Sequence, residues 1–269
     1  GIDFEEWFHP ELIQKNIKIN DKKLSVVNGI DKILNLLSKR NTFATFFVVG
    51  ELIEKKPELL DKIIDNGHEI AFHTMYHTRL DAENYKNQFN SELEIFKKLT
   101  NNKSKGFRAP SFSLNENTSW AIDSLKKNGY IYDSSIAPVK TRLYGVPKAE
   151  KNPYKIDSRD IKKNQNSSDF LEFPLLTTTI FGKTIMAAGG FYIRTLPLYF
   201  IKKEISSRNK LHFPAPMYVH SWELTPEFMP KFKLPFIDNF ITYHNIENTF
   251  NKIDTLLNEF EFTSFEKYI

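Results

Sequence analysis

The chain has 269 residues, of which 41% are hydrophobic and 14% aromatic, and this is enough to build the core of one large domain. Because it contains no cysteine, disulfides, thiol nucleophiles and cysteine metal ligands are excluded. Its 37 basic and 33 acidic residues form no dense basic block, so we predict no nucleic-acid partner. No apolar run reaches the roughly 18 residues of a membrane span. The start of the chain lacks a signal-peptide pattern, so we expect a cytoplasmic location.

Strand-like and helix-like patterns alternate over the first 135 residues. Short apolar segments that predict strands occur at residues 1–8, 42–50, 68–73, 106–110 and 130–135. Amphipathic segments that predict helices separate them, at residues 25–41, 51–67, 82–102 and 118–129. This alternation is typical of parallel strands joined by helical crossovers, either in an open α/β sheet or in a barrel.

The second half of the chain has a less regular pattern. A polar, basic loop excursion rich in proline and asparagine runs from about 139 to 170. Predicted elements then resume, as strands at residues 170–180 and 216–224 and as a final helix at residues 245–260. Gly189 and Gly190 predict a tight turn or a close approach of two backbones. Because the excursion does not resemble a linker between domains, we predict a single domain over residues 1–269.

Polar residues stand where several of the predicted strands end, at Asp3, His73, Arg108, Asp133 and His220. In folds built from parallel strands and helical crossovers, the groups that carry chemistry gather where strands end and loops begin. We therefore expect these side chains to lie near one another in the folded protein.

Two histidines, His73 and His77, are four positions apart. This spacing places both imidazoles on one side of a helical turn, or of a loop that begins one. A catalytic zinc site needs about three protein ligands and one open position, so the pair alone is insufficient. Two packing or surface histidines are the alternative. The residues between them do not form H-E-x-x-H, so the general base of a zincin protease is missing.

The segment DFEEW, residues 3–7, offers carboxylates that can complete such a site. On an extended strand Asp3 and Glu5 point the same way, and Glu6 points to the opposite face. One acid can then bind a metal while the other takes a proton from water. An ordinary acidic strand end is the alternative interpretation.

The chain carries six motifs in the order and at the spacing of the polysaccharide deacetylases: DFEEW, ATFFVVG, GHEIAFHTMYH, FRAPSFS, GYIYDSS and YVHSWEL. Over residues 2 to about 224 it therefore resembles the NodB-homology domains of the fourth family of carbohydrate esterases. The resemblance implies a distorted (β/α) barrel. It also implies a metal-dependent hydrolase that removes N-acetyl groups from an amino sugar or a surface-polysaccharide precursor. Its partner would be a carbohydrate that carries an N-acetyl group.

The same resemblance implies a role for each matching residue. His73 and His77 would bind the metal, which we expect to be zinc, with cobalt, nickel or manganese as alternatives. Asp3 would act as the catalytic base, and Arg108 of the R-x-P motif would orient it. His220 would act as the general acid that protonates the departing nitrogen.

The first motif departs from the family's common pattern of two adjacent aspartates. It resembles a variant branch in which the motif reads D-x-E-[DE]-W-F. The third metal ligand would then be a glutamate. Strand alternation favours Glu5 for this position, with Glu6 as the rival.

Four further residues are candidates for contact with the substrate. Trp222 follows His220 and can stack on a sugar ring, with core packing as the alternative. Arg194 can reach an acidic group of the substrate. Pro110 belongs to the R-x-P motif. Asp133 follows a predicted strand and can touch the site, although a turn or a helix cap explains it equally well.

Other functions are compatible with the same residues. The scaffold can serve an O-acetyl esterase or a hydrolase of small cyclic amides. A sugar-binding domain that has lost its metal ligands is the alternative outside the enzymes. Metal binding and the type of acetyl group released distinguish these possibilities.

Overall fold

The computed structural model describes residues 1–20 and 22–269. Within them the strands are β1 (Ile2–Phe4), β2 (Thr45–Val48), β3 (Glu69–Phe72), β4 (Gly106–Phe107), β5 (Tyr132–Asp133), β6 (Tyr154–Lys155), β7 (Leu171–Glu172), β8 (Thr177–Ile180), β9 (Lys183–Met186) and β10 (Val219–His220). The α-helices are α1 (Glu11–Asn16), α2 (Ile30–Lys39), α3 (Gly50–Lys55), α4 (Glu58–Asp65), α5 (Tyr85–Leu99), α6 (Trp120–Lys127), α7 (Phe191–Thr195), α8 (Leu198–Lys210), α9 (Ser221–Leu224), α10 (Phe236–Tyr243), α11 (Thr249–Glu259) and α12 (Phe265–Tyr268). Short 3₁₀ turns span Val26–Gly29, Pro110–Phe112, Pro226–Phe228 and Ile246–Asn248. No helix in this part of the chain has the length and apolar character needed to cross a membrane.

Eight of the strands form one sheet in the order β10-β1-β2-β3-β4-β5-β7-β6. Neighbouring strands are parallel except for β6 and β7, which are antiparallel. The strands β8 and β9 form a separate hairpin. The sheet curls into an incomplete barrel, and this confirms the predicted distorted (β/α) barrel.

Aromatic side chains fill the inside of the curled sheet. The buried cluster consists of Phe47, Ala71, Tyr132, Phe173 and Phe265. The Phe265 ring, from α12, lies 5.0 Å from the Phe173 ring and 5.4 Å from the Tyr132 ring, measured between centroids. The Arg108 guanidinium lies over the Phe47 ring at 3.9 Å. The last helix therefore forms part of the core that supports the polar residues at the strand ends.

The helix predicted over residues 51–67 is two helices, α3 and α4. Pro57 lies between them. Proline has no backbone N–H and disfavours helical geometry in the residue before it. The amphipathic pattern over residues 51–67 therefore continues across a break in the helix, and Pro57 was the residue that indicated this break.

The excursion over about 139–170 packs against the domain instead of forming a free loop. The side chains of Val146, Tyr154, Ile156 and Ile161 are buried in the main hydrophobic core. The strand β6 also belongs to this excursion and pairs with β7. These apolar residues are widely spaced among many polar ones, so the sequence pattern did not predict that they are buried.

The close backbone approach predicted at Gly189 and Gly190 is confirmed. A Cβ atom on Gly189 would lie 1.6 Å from the carbonyl oxygen of Tyr218, a distance that no side chain tolerates. Gly190 has a φ of +54°, which favours glycine. These residues run beside β10, so the two glycines allow the chain to pass close to the strand that carries His220.

Candidate active site

The carboxyl ends of the parallel strands bring four of the singled-out residues together. In the ladders Asp3 lies opposite Phe47 of β2 and His220 of β10. His73 directly follows β3, and Arg108 directly follows β4. The same strand ends that the sequence predicted as polar therefore face one shared space.

Glu5, His73 and His77 form a cluster with the character of a metal site. Each offers one ligand atom, and these atoms lie within 4.8 Å of one another. The Oε2 atom of Glu5 is buried and receives no hydrogen bond of normal geometry, although His77 Nε2 lies 2.8 Å away. An unpartnered carboxylate oxygen beside two imidazoles suits a divalent cation.

The state of His73 also fits a metal ligand. Its Nδ1–H donates to the carbonyl oxygen of Arg108 at 2.7 Å, so the lone pair of Nε2 is free. Burial lowers the pKa of His73 to about 4. The imidazole is therefore neutral near pH 7, as metal binding requires.

The structure brings Glu5 to the histidines and turns Glu6 away from them. The Glu6 carboxylate accepts hydrogen bonds from the backbone N–H groups of Ser25 at 2.9 Å, Val26 at 3.1 Å and Val27 at 2.9 Å. Glu6 thus holds the start of the Val26–Gly29 turn. Both residues follow the end of β1, and the geometry places Glu5, not its rival Glu6, beside the two histidines.

The histidine pair lies on a strained loop and not on a regular helical turn. Thr74 and His77 have φ values of 59° and 56°, which non-glycine residues rarely adopt. The loop is held by a hydrogen bond from the Met75 N–H to Glu92 Oε2 at 2.9 Å, and from the Thr78 N–H to Thr74 Oγ1 at 2.9 Å. Glu92 was not predicted from the sequence, although it is a carboxylate on the buried face of α5.

His9 supports His77 from behind. The two rings stack with centroids 5.6 Å apart and an angle of 17° between them. His9 Nδ1 accepts the Glu6 backbone N–H at 3.0 Å, so its Nε2 carries the proton that contacts Glu51 Oε1 at 2.8 Å. This contact joins residues 42 positions apart, so sequence spacing does not indicate it.

Asp3 and Arg108 form a buried ion pair. Arg108 Nη1 donates to Asp3 Oδ1 at 2.6 Å, while its Nε and Nη2 donate to the carbonyl and hydroxyl oxygens of Ser134, both at 2.9 Å. Burial acts to raise the pKa of Asp3, but the Arg108 charge and the nearby imidazoles outweigh it and lower that pKa. Asp3 is therefore an ionised, oriented carboxylate.

His220 lies beside the cluster of Glu5, His73 and His77. Its Nδ1 donates to Glu223 Oε2 at 2.7 Å, and its Nε2 lies 3.9 Å from Glu5 Oε1. Burial acts to lower the pKa of His220, but the charge of Glu223 and its hydrogen bond raise that pKa to about 9. His220 thus carries a proton near pH 7 and is held by Glu223, three residues along the chain on α9.

Arg194 borders the cavity, but its guanidinium is already engaged and does not reach into the substrate space as predicted. Its Nε lies 2.7 Å from Glu223 Oε1, and its Nη atoms donate to the carbonyl oxygens of Ile241, Thr242 and His244. The side chain is 2% exposed. Its charge is therefore used to hold Glu223 and the end of α10, and it is not free to bind an acidic group.

Trp222 supports the metal cluster rather than offering a free face to a sugar. Its indole Nε1 donates to Glu5 Oε1 at 2.8 Å. Its ring stacks on His220, with centroids 4.8 Å apart and an angle of 13°. Trp222 is 4% exposed, so both Glu5 and His220 are oriented by one rigid side chain.

Pro110 and Asp133, unlike Arg194 and Trp222, do not line the cavity. Pro110 is buried and begins the 3₁₀ turn that presents Ser111 and Phe112. Asp133 is fully buried and accepts hydrogen bonds from Ser135, from its N–H at 3.0 Å and from its hydroxyl at 2.6 Å. Both predicted substrate contacts are therefore corrected: these residues shape the loops beneath the site.

A second acid, Glu172, lies beside Asp133. Burial, followed by the charge of Asp133, raises the pKa of Glu172 well above its ordinary value. The native protein therefore keeps a proton that the unfolded chain releases above about pH 4. Native stability consequently falls as the pH rises above that value, by up to about 1.4 kcal/mol per pH unit.

We expect Glu172→Gln to reduce this decline, because an amide N–H replaces the retained proton without titrating. Urea unfolding of wild type and variant at about pH 5 and about pH 8 measures the effect. The variant should gain stability relative to wild type between the two pH values. Equal changes in stability for both proteins would show that Glu172 ionises normally.

The cluster opens into a cavity of about 160 Å³. Its apolar walls include Leu12, Phe112, Tyr144, Phe191, Tyr218 and Ile241. Tyr144 and the neighbouring Leu143 come from the excursion after β5, so this segment forms part of the cavity wall. The cavity thus places Asp3 and His220 on the walls of a partly apolar space beside the metal-type cluster.

Comparison with known families agrees with this architecture. The sequence profile described as polysaccharide deacetylase matches residues 20–132. The profile described as a domain of unknown function (DUF3473) matches residues 134–269, just over half of the chain. The chain therefore belongs to the family described as DUF3473, and the segment before this domain is similar to the polysaccharide deacetylases.

Individual relatives share part of the sequence. The peptidoglycan-N-acetylglucosamine deacetylase of Bacillus cereus is 31% identical over 118 residues, which are 38% of this chain and 43% of that protein. The peptidoglycan deacetylase of Helicobacter pylori is 27% identical over 198 residues, which are 70% of this chain and 61% of that protein. The chain thus spans less than two thirds of the length of these relatives.

Solved structures share the fold. A protein assigned as a polysaccharide deacetylase from Mycobacterium smegmatis has a TM-score of 0.59 at 16% identity, with 90% of this chain and 76% of that chain covered. One from Pseudomonas aeruginosa has a TM-score of 0.53 at 14% identity, with 88% of this chain and 69% of that chain covered. At these identities the likeness defines the fold.

Proposed function

We propose that the chain is a metal-dependent hydrolase that removes N-acetyl groups from amino sugars of a cell-surface glycan or its precursor. The observation that carries the proposal is the placement of two differently tuned groups around one cluster. The ionised Asp3 and the protonated His220 flank Glu5, His73 and His77. The names of the relatives, which include peptidoglycan and chitooligosaccharide deacetylases, support an N-acetylated sugar as substrate.

Glu5, His73 and His77 would hold the metal. A divalent cation bound there would polarise the amide carbonyl and lower the pKa of a water molecule to about 7. Zinc suits two neutral imidazoles and one carboxylate, and cobalt, nickel and manganese are alternatives that the donor set also accepts. Trp222 would keep Glu5 aimed through its indole N–H.

Asp3 is proposed as the general base. Its carboxylate is ionised and accepts the 2.6 Å hydrogen bond from Arg108, which holds its position. An oriented, ionised carboxylate can take the proton of the attacking water. Arg108 is itself fixed by Ser134 and by the Phe47 ring, so the base would move little during turnover.

His220 is proposed as the general acid. Its Nδ1–H is held by Glu223, so its other N–H is the one available to the substrate. The sugar amine departs readily only after its nitrogen is protonated, and His220 would supply that proton. Arg194, through Glu223, would keep the imidazole in place.

Acetate release tests the function directly. Purified protein supplied with zinc is incubated with N-acetylated chitotetraose and, separately, with an O-acetylated xylo-oligosaccharide. We expect acetate from the first substrate. Acetate from the O-acetyl substrate alone would indicate an esterase. Binding of chitotetraose with no acetate from either substrate would indicate a sugar-binding domain.

A further inference from the structure

A second cavity continues from the candidate active site along the surface. It has a volume of about 340 Å³ and shares Phe112, Leu143 and Tyr144 with the first cavity. Its remaining walls are mostly polar or cationic. They include Arg79, Ser113, Asn115, Lys140, Thr141 and Arg142. The two cavities are therefore adjacent, and we call them together the extended groove.

A row of aromatic rings connects the two ends of the extended groove. The Tyr218 ring, beside the catalytic residues, contacts the Phe112 ring with centroids 4.8 Å apart. Phe112 in turn contacts Tyr144 with centroids 5.2 Å apart. Aromatic walls suit the apolar faces of sugar rings, so a glycan that enters the first cavity can extend along this row.

Two cations at the outer end of the groove are free to bind a ligand. Among the residues that the structure describes, neither Lys140 nor Arg142 forms a side-chain ion pair or hydrogen bond, and both are exposed. Arg79, in contrast, is bound by Asp81 and Glu11. The outer groove thus carries two positive charges without protein partners.

The turn that carries these cations is held in a defined shape. The Thr141 hydroxyl donates to the Tyr144 carbonyl oxygen at 2.6 Å and accepts the Tyr144 N–H at 3.0 Å. Gly145, with a φ of +129°, passes so close to Val139 that a Cβ would lie 2.1 Å from its carbonyl oxygen. Lys140 and Arg142 are therefore presented by a turn whose shape is held by hydrogen bonds and by the close approach of Gly145.

The two arginines at the catalytic cavity, Arg108 and Arg194, offer no equivalent free guanidinium. Arg108 is committed to Asp3 and Ser134, and Arg194 is committed to Glu223 and backbone carbonyls. Both are fully buried. Among the residues that the structure describes, an acidic group on a neighbouring unit of the substrate would therefore find no unpaired lysine or arginine in the catalytic cavity, and would find two in the outer part of the groove.

We propose that the outer part of the extended groove is a subsite for an anionic group of the glycan, a carboxylate or a phosphate, on a unit next to the N-acetyl sugar that is processed. Lys140 and Arg142 bind that group, and the Tyr218–Phe112–Tyr144 row carries the sugars between. This inference rests on the proposed function and narrows its substrate to an acidic glycan. Charge-assisted hydrogen bonds from lysine and arginine suit either oxyanion.

Binding of matched probes tests the subsite independently of turnover. Calorimetric titrations use the Asp3→Asn protein, so that no probe is consumed. The probes are hyaluronan tetrasaccharide, which carries carboxylates, UDP-N-acetylglucosamine, which carries phosphates, and neutral chitotetraose. We expect at least one anionic probe to bind more tightly than chitotetraose, and this preference to weaken between about 50 and about 300 mM NaCl.

The double substitution Lys140→Ala/Arg142→Ala should lower the ratio of anionic to neutral affinity by about fivefold to tenfold. The matched control Lys148→Ala/Lys151→Ala removes the same charge from exposed positions of the same excursion, outside the groove, and should leave the ratio unchanged. The proposal is overturned if no anionic probe binds more tightly than chitotetraose. It is also overturned if both double variants reduce the preference equally.

The same proteins separate failure of the subsite from failure of the proposed function. Acetate release from chitotetraose is measured with the wild-type protein in parallel. Acetate release without anionic preference overturns the subsite and leaves the hydrolase. Anionic preference that depends on Lys140 and Arg142, without acetate release from any N-acetylated probe, leaves the subsite and overturns the hydrolase.

Discussion

Asp3→Asn is expected to lower kcat/KM for acetate release from chitotetraose by about 10²- to 10⁴-fold, the contribution of a positioned general base. Asparagine keeps the shape and one oxygen that can accept the hydrogen bond from Arg108, but its amide cannot accept the proton of water. Because Asp3 lies outside the ligand cluster, zinc affinity should be retained. Steady-state kinetics and a zinc titration on the same sample measure both quantities.

The control for this prediction is Asp31→Asn, which removes an acid of the same size from an exposed pair with Lys62. It should change neither kcat/KM nor zinc affinity. An Asp3→Asn protein that folds, binds zinc and retains wild-type kcat/KM would exclude Asp3 as the base.

Glu5→Gln is expected to weaken zinc binding by more than the roughly 10- to 100-fold that loss of an outer-shell partner costs. Glutamine removes the negative charge and the unpartnered oxygen that faces the two histidines. Acetate release at limiting zinc should fall accordingly. The measurement is competition for zinc between the protein and a chelating dye.

Glu6→Gln is the matched control, because the same change is made one residue away. It should leave zinc affinity unchanged and lower the free energy of unfolding by about 1 to 3 kcal/mol. The loss arises because Glu6 accepts three backbone hydrogen bonds at the turn that precedes α2. If Glu6→Gln weakens zinc binding and Glu5→Gln does not, the ligand is wrongly assigned.

Local sequence patterns predicted the features that a single strand or helix determines, such as its position in the chain and the residues at its end. The alternation of strands and helices predicted parallel strands with helical crossovers, and the family resemblance implied the distorted barrel. The polar residues at strand ends predicted where Asp3, His73 and Arg108 would meet. The two-residue period of a strand separated Glu5 from Glu6 before the structure did. These features follow from backbone geometry that neighbouring residues determine.

Contacts between distant segments determined the rest. Arg194 was predicted to reach the substrate, but its guanidinium packs against carbonyls at the end of α10, 47 to 50 residues later. Glu92 reaches the histidine loop from α5, and Glu51 reaches His9 from α3. No periodicity in the sequence indicates such pairs, although a carboxylate on a buried helix face signals that it has a partner.

Asp133 and Trp222 show the same limit in another form. Both were candidates for contact with the substrate, and both are buried: Asp133 lies outside the cavity lining, and Trp222 borders the cavity but is engaged with Glu5 and His220. Asp133 and Trp222 lie close to the site because each stands at or just after the end of a strand. The direction of the Trp222 side chain depends on Glu5, which only the folded chain brings within hydrogen-bond distance, whereas Asp133 is held by the neighbouring Ser135 in a local turn.

Removal of the metal tests directly whether Glu5, His73 and His77 hold a cation on which hydrolysis depends. Acetate release from chitotetraose is followed for protein stripped of metal by a chelator, before and after zinc is added back. We predict release at background level after chelation and recovery when one zinc ion per chain is restored. Undiminished acetate release by the metal-free protein would contradict the claim.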